Sequence, residues 1–336
     1  MTETRPLVIA IEGGGSKTVA IAVDAGGHVI AHGKAGSSLA LYVGDERSLD
    51  AVDTALSAAA EQIDADRVTV IASAMVGKGY ATDPRVSAEE RFPHARHVQM
   101  SEPDAALVGA TLSSTGAVIL AGTGSFGWAI GEDGATGHCG GGGPLVGDEG
   151  SGHWIALEAM RRGMWARDGR GGETVLIEAI QEHYGLEHYG HIIGRLYGRD
   201  KMSRRDIASL APVVCRAADA GDAVAILVLE MAADQLAHLV ATAILKVKEK
   251  GDGWGDGPLL GCTGGVCLGS RMLREMIAAR VAETVPDIVP CDPHLPPVGG
   301  VAIRALREAG VEVEGDVLAQ LQRSLPAALG AATLGD

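Results

Sequence analysis

Two stretches of the chain repeat one design. Leu7-Val8-Ile9-Ala10-Ile11-Glu12 runs into Gly13-Gly14-Gly15-Ser16-Lys17-Thr18, and Ala117-Val118-Ile119-Leu120-Ala121 runs into Gly122-Thr123-Gly124-Ser125. Each is an apolar run ending in a glycine-rich turn that carries hydroxyls. Glycine has no Cβ and reaches φ > 0, so backbone N–H groups in such a turn can come close to an anion. The residues after each turn restrict its type. Lys17 comes directly after Ser16, so the G-x-x-x-x-G-K-[ST] spacing of a Walker loop is not met. Thr18 to Asp24 and His28 to Ala31 read as strands around a tight turn at Ala25-Gly26-Gly27. Gly122, Gly124 and Gly127 formally match a dinucleotide fingerprint. However, Phe126 to Ile130 with Glu132-Asp133-Gly134 again reads as strand and turn, where that fold needs a helix N-terminus. One such hairpin alone would be ordinary. The same pattern twice points to two similar lobes, each with a phosphate cradle.

The bulk properties fit that arrangement. A chain of 336 residues suits two domains or one duplicated fold. With 46% apolar residues but only 3% aromatic ones, the cores must be aliphatic and alanine-rich. The formal charge of −15 argues against nucleic acid and anionic membrane surfaces as partners, since both demand clustered Lys and Arg. ATP stays compatible, because glycine N–H groups and Mg²⁺ can supply the positive potential locally. Met1 to Pro6 lacks the basic-then-apolar build of a signal peptide. No run approaches the ~18 apolar residues of a membrane span, and the longest candidate, Ala223 to Ala233, is interrupted by Glu230. Cys139, Cys215, Cys262, Cys267 and Cys291 are scattered, with no C-x-x-C pair to suggest zinc or a disulfide scaffold. A reduced, cytoplasmic enzyme is expected.

Along the chain, Gly33 to Ser38 reads as a polar, flexible loop and Leu49 to Ala60 has helical spacing. Val68 to Ser73 reads as a buried strand leading to a loop over Met75 to Gly79. Val98 to Met100 is a short strand running into Ser101-Glu102-Pro103-Asp104, and a small-residue helix continues from Ala105 to Thr111. Proline suits a first helical turn. Asp104 thus stands at a strand-to-helix junction, either aimed into a cleft or serving only the helix dipole. Asp148 and Glu149 lie in a glycine-rich stretch from Cys139 to His153, either to bind a polyol or as solvated loop acids. A helix is expected over Trp154 to Trp165, and residues 173 to 250 are mostly helical in pattern. His183, His188 and His191 lack a metal-site arrangement and read as surface or interface histidines. Gly251 to Gly257 reads as a solvated turn. Pro258 to Gly261 reads as a strand leading to a third glycine turn, Cys262-Thr263-Gly264-Gly265-Val266, which could receive an adenosine. Helices are then expected over Ser270 to Glu283, Val301 to Ala309 and Asp316 to Leu329.

Taken together, Glu12-Gly-Gly-Gly-Ser-Lys17, Asp104-Ala105, Gly122-Thr-Gly-Ser125, Gly147-Asp-Glu-Gly-Ser151, Thr263-Gly-Gly265 and Val298-Gly-Gly-Val-Ala302 resemble the sugar kinase–actin–heat-shock chaperone superfamily. Within it the chain resembles the N-acetylglucosamine kinase branch, grouped with BadF-type ATPases. The likeness spans about residues 7 to 310, and Gly147 to Ser151 is its most specific element. It implies an α/β fold: two lobes of duplicated ribonuclease-H-like βββαβαβα topology around an ATP cleft. The lobes would be residues 1–112 and 113–336, the second with a helical insert at about 154–250 and a C-terminal helix able to return to the first. By the same resemblance Gly13, Gly14, Gly15, Ser16, Lys17, Thr18, Gly122, Thr123 and Gly124 grip the phosphates, while Gly264 and Gly265 hold the adenosine end. Asp104 is the general base, and it binds the sugar together with Ser37, Ser38, Ser125, Asp148 and Glu149. Glu12, where many relatives carry aspartate, reaches Mg²⁺ through water. The segment Gly36 to Tyr42 lacks the asparagine that relatives use to touch the sugar; Ser37, Ser38 or Tyr42 would replace it. The implied activity is ATP-dependent phosphorylation of N-acetylglucosamine to its 6-phosphate, in a homodimer. Glucosamine or another hexose is the alternative substrate. A BadF-type activator of an acyl-CoA reductase or dehydratase is the alternative function, and it would need cluster cysteines. A sugar-sensing binding protein would not need Asp104.

Overall fold

The computed structural model describes residues 6–77, 83–84, 88–89 and 91–329. Met1 to Arg5, and Lys78 and Gly79 of the loop expected after Met75, lie outside the described residues. The chain divides into two compact units, one drawn from Met1–Ser114 with Asp292–Thr333 and the other centred on Thr115–Cys291.

The first unit holds a five-stranded sheet in the order β3-β2-β1-β4-β5, from β1 (Leu7–Gly13), β2 (Thr18–Asp24), β3 (Val29–Ala35), β4 (Val68–Met75) and β5 (Arg96–Met100). The second holds β6 (Gly116–Ala121), β7 (Ser125–Ile130), β8 (Thr136–Gly140), β9 (Leu259–Thr263) and β10 (Val289–Cys291) in the order β10-β9-β6-β7-β8. Read from the other edge the second order is the first again. In both units three antiparallel strands are succeeded by two that run parallel to the first. The duplication inferred from two glycine hairpins therefore extends to the whole of each sheet.

The apolar runs become central strands because both of their faces are covered, which is why they do not alternate. Leu7 to Ile11 and Ala117 to Ile119 are wholly buried. The edge strand β3, by contrast, alternates buried and open positions. Gly33 to Ala35, expected in a flexible loop, belong to β3, where Gly33 pairs with Ala20 and Ala35 with Thr18. Ser38 beyond them is 1% exposed. Cys139 and Gly140, expected in the loop before His153, are strand residues of β8 opposite Gly127 and Phe126. In both places pairing with a neighbouring strand overrides a composition rich in glycine. Gly251 to Gly257 is likewise anchored: the Asp252 N–H donates to the Asp133 carboxylate at 3.0 Å and Trp254 Nε1 donates to Ile130 O at 2.9 Å.

Helices cover the sheets: α1 (Asp45–Ala60) and α2 (Glu102–Thr111) in the first unit, and a helical insertion between β8 and β9 in the second. That insertion contains α3 (Gly152–Arg167), α4 (Leu176–Tyr184), α5 (Ile192–Tyr197), α6 (Arg204–Ala208), α7 (Ala211–Asp219) and α8 (Ala223–Lys248). Glu230 does not interrupt α8. By length and composition this one helix could cross a membrane, yet half of its apolar window is buried within the unit. Its apolar surface packs on β7 and β8 and on the helix Arg271–Thr284. Gly127 and Gly137 allow that contact, since a Cβ on Gly137 would stand 1.9 Å from Ala243 O.

After β9 come α9 (Gly265–Gly269) and α10 (Arg271–Thr284), and after β10 come α11 (Pro297–Glu308) and α12 (Gly315–Leu329). Both α11 and α12 pack in the first unit. Val298, Val301 and Leu306 join Val8, Ala10, Val70 and Ala105 in one core cluster. Ser324 Oγ on α12 accepts from the Val29 N–H at 3.1 Å and donates to Gly27 O at 3.2 Å.

Candidate active site

In the first unit the turn after β1 is closed by the Gly13–Thr18 pair and by the Gly14 N–H donating to Lys17 O at 2.8 Å. The segment after β3 supports it. Ser37 Oγ and the Ser38 N–H both donate to Gly14 O at 3.2 Å, and Thr18 Oγ1 donates to Gly36 O at 2.9 Å. Ser37 and Ser38, expected at the sugar, are thus placed against the backbone of this turn. The glycines differ in what they permit. A Cβ on Gly13 would stand 2.3 Å from both Met75 Cε and Ser38 Oγ, whereas one on Gly14 would meet only Lys17 O, at 3.6 Å. A side chain at 13 would therefore have to push aside Met75 and Ser38, whereas position 14 has room for one.

Glu12 is half-buried at the end of β1, and burial holds its carboxyl above the usual range, with Lys17 partly offsetting this. Among the described residues no group of three His, Cys, Asp or Glu side chains is placed to hold a metal ion. A single carboxylate beside a phosphate turn still fits magnesium, which keeps several waters and takes most other ligands from nucleotide phosphates. His183, His188 and His191 are exposed, and His183 pairs with Ser209 Oγ at 2.9 Å.

Asp104 sits in the first turn of α2, directly after β5. Ser101 caps the helix, its Oγ accepting from the Asp104 N–H at 3.1 Å. Strands β1, β4 and β5 run parallel, so Gly13 and Met100 both lie at the carboxyl ends of the strands. The carboxyl ends of parallel strands are where open α/β sheets bind ligands. The first glycine turn and Asp104 lie at that end of the sheet.

In the second unit the turn Gly122-Thr123-Gly124 is closed by the Gly122 N–H donating to Gly124 O at 2.9 Å. The N-terminus of α3 abuts it: the Gly152 N–H donates to Gly122 O at 2.7 Å, and Ser151 caps the helix. On its other side lies the third glycine turn. Gly264 has φ +86°, and a Cβ there would stand 2.5 Å from Ala121 O and 2.9 Å from Gly122 N. No other residue fits, and the closeness brings Gly264 and Gly265 to the second phosphate turn. Cys262 and Cys267 beside them are small buried residues. The Cys267 thiol is held well above its ordinary pKa by its hydrogen bond to Cys262 and by burial.

Asp148 and Glu149 also reach this turn. Ser125, 2% exposed, donates through Oγ to Glu149 O at 2.7 Å. The Ser125 N–H donates to Asp148 Oδ1 at 3.1 Å. Asp148 is itself buried, with φ +58°, one of two non-glycine residues in the left-handed region among the described residues. Its other oxygen accepts from Arg204, whose guanidinium also donates to Thr123 O at 3.3 Å. His153 nearby is half-buried and held below the usual histidine range by burial and by Arg204, with Asp148 opposing. Sequence reasoning missed Arg204. Its local signal is the Ser203–Asp206 capping box that starts α6, but nothing local connects it to an aspartate 56 positions away.

These features agree with the chain's similarities. The model of the BadF/BadG/BcrA/BcrD ATPase family matches residues 9–305. An N-acetyl-D-glucosamine kinase of Dictyostelium discoideum is 27% identical over 90% of this chain and 98% of its own length. A glucosamine kinase of Vibrio cholerae is 28% identical over 69% of this chain and 79% of its own. The crystal structure of a Chromobacterium violaceum protein put forward as an N-acetylglucosamine kinase superposes with a TM-score of 0.63 at 25% identity. It covers 90% of this chain and 99% of that one. With glycine turns at matching ends of two identically ordered sheets, and a family match over nearly its full length, the chain belongs to the BadF/BadG/BcrA/BcrD ATPase family.

Proposed function

We propose that this chain is a sugar kinase that transfers the γ-phosphoryl group of ATP to the 6-hydroxyl of N-acetyl-D-glucosamine. One observation carries the nucleotide part of the reading. Gly122 to Gly124, the capped N-terminus of α3 and Gly264-Gly265 converge within the second unit. A glycine turn presents N–H groups to phosphate; α3 braces that turn, giving its Gly152 N–H to Gly122 O and its Trp154 N–H to Ser151 Oγ, and the adjoining turn suits the adenosine end. In the first unit, Gly14 is a glycine that packing does not require, as expected where a phosphate approaches the backbone. Glu12 is the carboxylate that would hold magnesium through water, and the ion would neutralise phosphate charge.

Phosphoryl transfer asks mainly for in-line positioning and charge stabilisation. The sugar oxygen bonds to the γ-phosphorus, the bond to the β–γ bridging oxygen breaks, and ADP leaves. Asp104 accepts the hydroxyl proton as that oxygen–phosphorus bond forms. The named relatives support an amino sugar, and the glucosamine kinase keeps glucosamine as the second reading. An electron-transferring activator would need cysteines able to hold a cluster, yet Cys215, Cys262 and Cys267 are buried in the core of the second unit. The free thiols fit a reduced cytoplasmic setting, and a homodimer is the expected assembly. The test is ADP release with MgATP against a panel of amino sugars and hexoses, with the product's phosphate position read by NMR. ADP release independent of any sugar would overturn the proposal.

A further inference from the structure

The Arg204–Asp148 pair is the most heavily built contact around the second glycine turn, and the chemistry just proposed does not use it. Asp148's side chain is 5% exposed and Arg204's 23%. A buried carboxylate must be paired or hydrogen-bonded on all sides to be tolerated. Asp148 meets that demand in a particular direction. Oδ1 takes the N–H of Ser125, the residue that leaves the turn, while Oδ2 takes Arg204 Nη2. The same nitrogen donates to Thr123 O, at the tip of the turn. Both the tip and the exit of Gly122-Thr123-Gly124-Ser125 are therefore held by one ion pair. Arg204 is the first residue of α6, fixed by the Ser203–Asp206 capping box, so it brings the helical insertion to bear on the turn. A Cβ on Gly124 would stand 2.8 Å from Arg204 Nη2 and 2.9 Å from Asp148 Oδ1, so the pair lies directly against that glycine.

We propose that Arg204 is a positioning residue for the nucleotide. By clamping Thr123 O and the Asp148 carboxylate, it fixes the orientation of the second glycine turn toward phosphate. Asp148 then acts first on the turn through Ser125. Lysine has the charge and enough donors, but its ammonium ends a shorter, freely rotating stem, whereas the rigid guanidinium plane holds Nη2 in one direction between the carbonyl and the carboxylate. The inference rests on the reading of Gly122 to Gly124 as a nucleotide turn, and its test is equilibrium binding of each ligand alone, without turnover.

Calorimetric titration with AMPPNP and magnesium would compare wild type, Arg204→Met, Arg204→Lys and the Arg204→Met/Asp148→Asn double variant, each checked for a cooperative thermal transition. A lost charged hydrogen bond costs about tenfold or more in affinity. The Met variant should bind AMPPNP about tenfold or more weakly, the Lys variant should fall between, and the double variant should stay weak. In Arg204→Met the Kd for N-acetylglucosamine, titrated alone, should move less than twofold. Guanidinium ion added to Arg204→Ala should recover part of the lost affinity. Wild-type AMPPNP affinity in Arg204→Met, or full recovery in the double variant, would show that the pair only balances a buried charge and would overturn the assignment. A large change in the sugar Kd alone would overturn it too, placing Arg204 at the sugar. Should Arg204→Met not fold, the Lys variant decides: wild-type affinity there would overturn the assignment. Failure of wild type to bind AMPPNP would overturn the nucleotide reading itself and this inference with it. A chain that binds AMPPNP but phosphorylates no sugar would refute only the sugar kinase.

Discussion

Replacing Gly300 by alanine should damage both the stability of the first unit and the chemistry assigned to Asp104. Gly300 lies on α11 against α2, and a Cβ there would stand 2.1 Å from Ala105 O and 2.7 Å from Gly109 N. Ordinary van der Waals contact begins at 3.4 Å, so the two helices would have to separate by about 1.3 Å. No rotamer change relieves this, because the atoms in the way are backbone. Gly109 opposes from the other helix, its own Cβ position 2.7 Å from Pro296 O, so neither partner can yield locally. Overpacking of this kind costs about 1–3 kcal/mol, and backbone against backbone belongs at the upper end. A loss of about 3 kcal/mol lowers Tm by roughly 6–12 °C in a unit of this size. Ala105 adjoins Asp104, so the same displacement moves the proposed base by about an ångström. Misplacement on that scale costs up to about 10²-fold in rate. Differential scanning calorimetry and steady-state kinetics would read the two effects. Gly194→Ala is the control, since nothing lies within 4 Å of its Cβ and alanine favours a helix. A Gly300→Ala protein with unchanged Tm and full kcat would refute the close-packing argument.

The same geometry sets other outcomes. Asp104→Asn should bind ATP and sugar within a few-fold of wild type and lose roughly 10²–10⁴-fold in kcat, the contribution of a general base; near-normal kcat would leave Asp104 as a helix-terminus charge. Gly14→Ala should fold with wild-type Tm, since its Cβ meets nothing closer than 3.6 Å, yet bind nucleotide more weakly. Unchanged AMPPNP affinity would remove this turn from the phosphate site. Burial is the first cause holding His138, His153 and His183 below the usual histidine range. The unfolded chain therefore binds more protons than the folded one below about pH 6.5, and stability should fall as pH drops through that value. Glu12, raised by burial, acts oppositely: its contribution is lost as pH rises through its folded value. Urea midpoints at pH 7.5 and 5.5 would show the net effect, and a slope that survives replacement of His138, His153 and His183 together by Gln would place the protons elsewhere.

The sequence alone determined the parts that local pattern dictates. Short unbroken apolar runs bounded by glycine turns, such as Leu7 to Ile11, read as central strands, and glycine turns after two of them reveal the duplication. Asp104 at a strand-to-helix junction was equally legible, because Ser101 and Pro103 mark the helix start. The tertiary structure decided what local pattern cannot encode. An apolar helix face announces burial but not its partner: α11 and α12 come after β10 in sequence yet fill the core of the first unit, with Ser324 bonded to Val29 across 295 positions. The polar run at Gly33 to Ser38 looked loose because its order comes from β2 and from Gly14 O. The pairing of Asp148 with Arg204 could not be read from the sequence, because Arg204 stands in a separate helix 56 positions away. A buried charge is satisfied by whichever group the folded chain brings within reach, and that choice belongs to the packing of the whole unit.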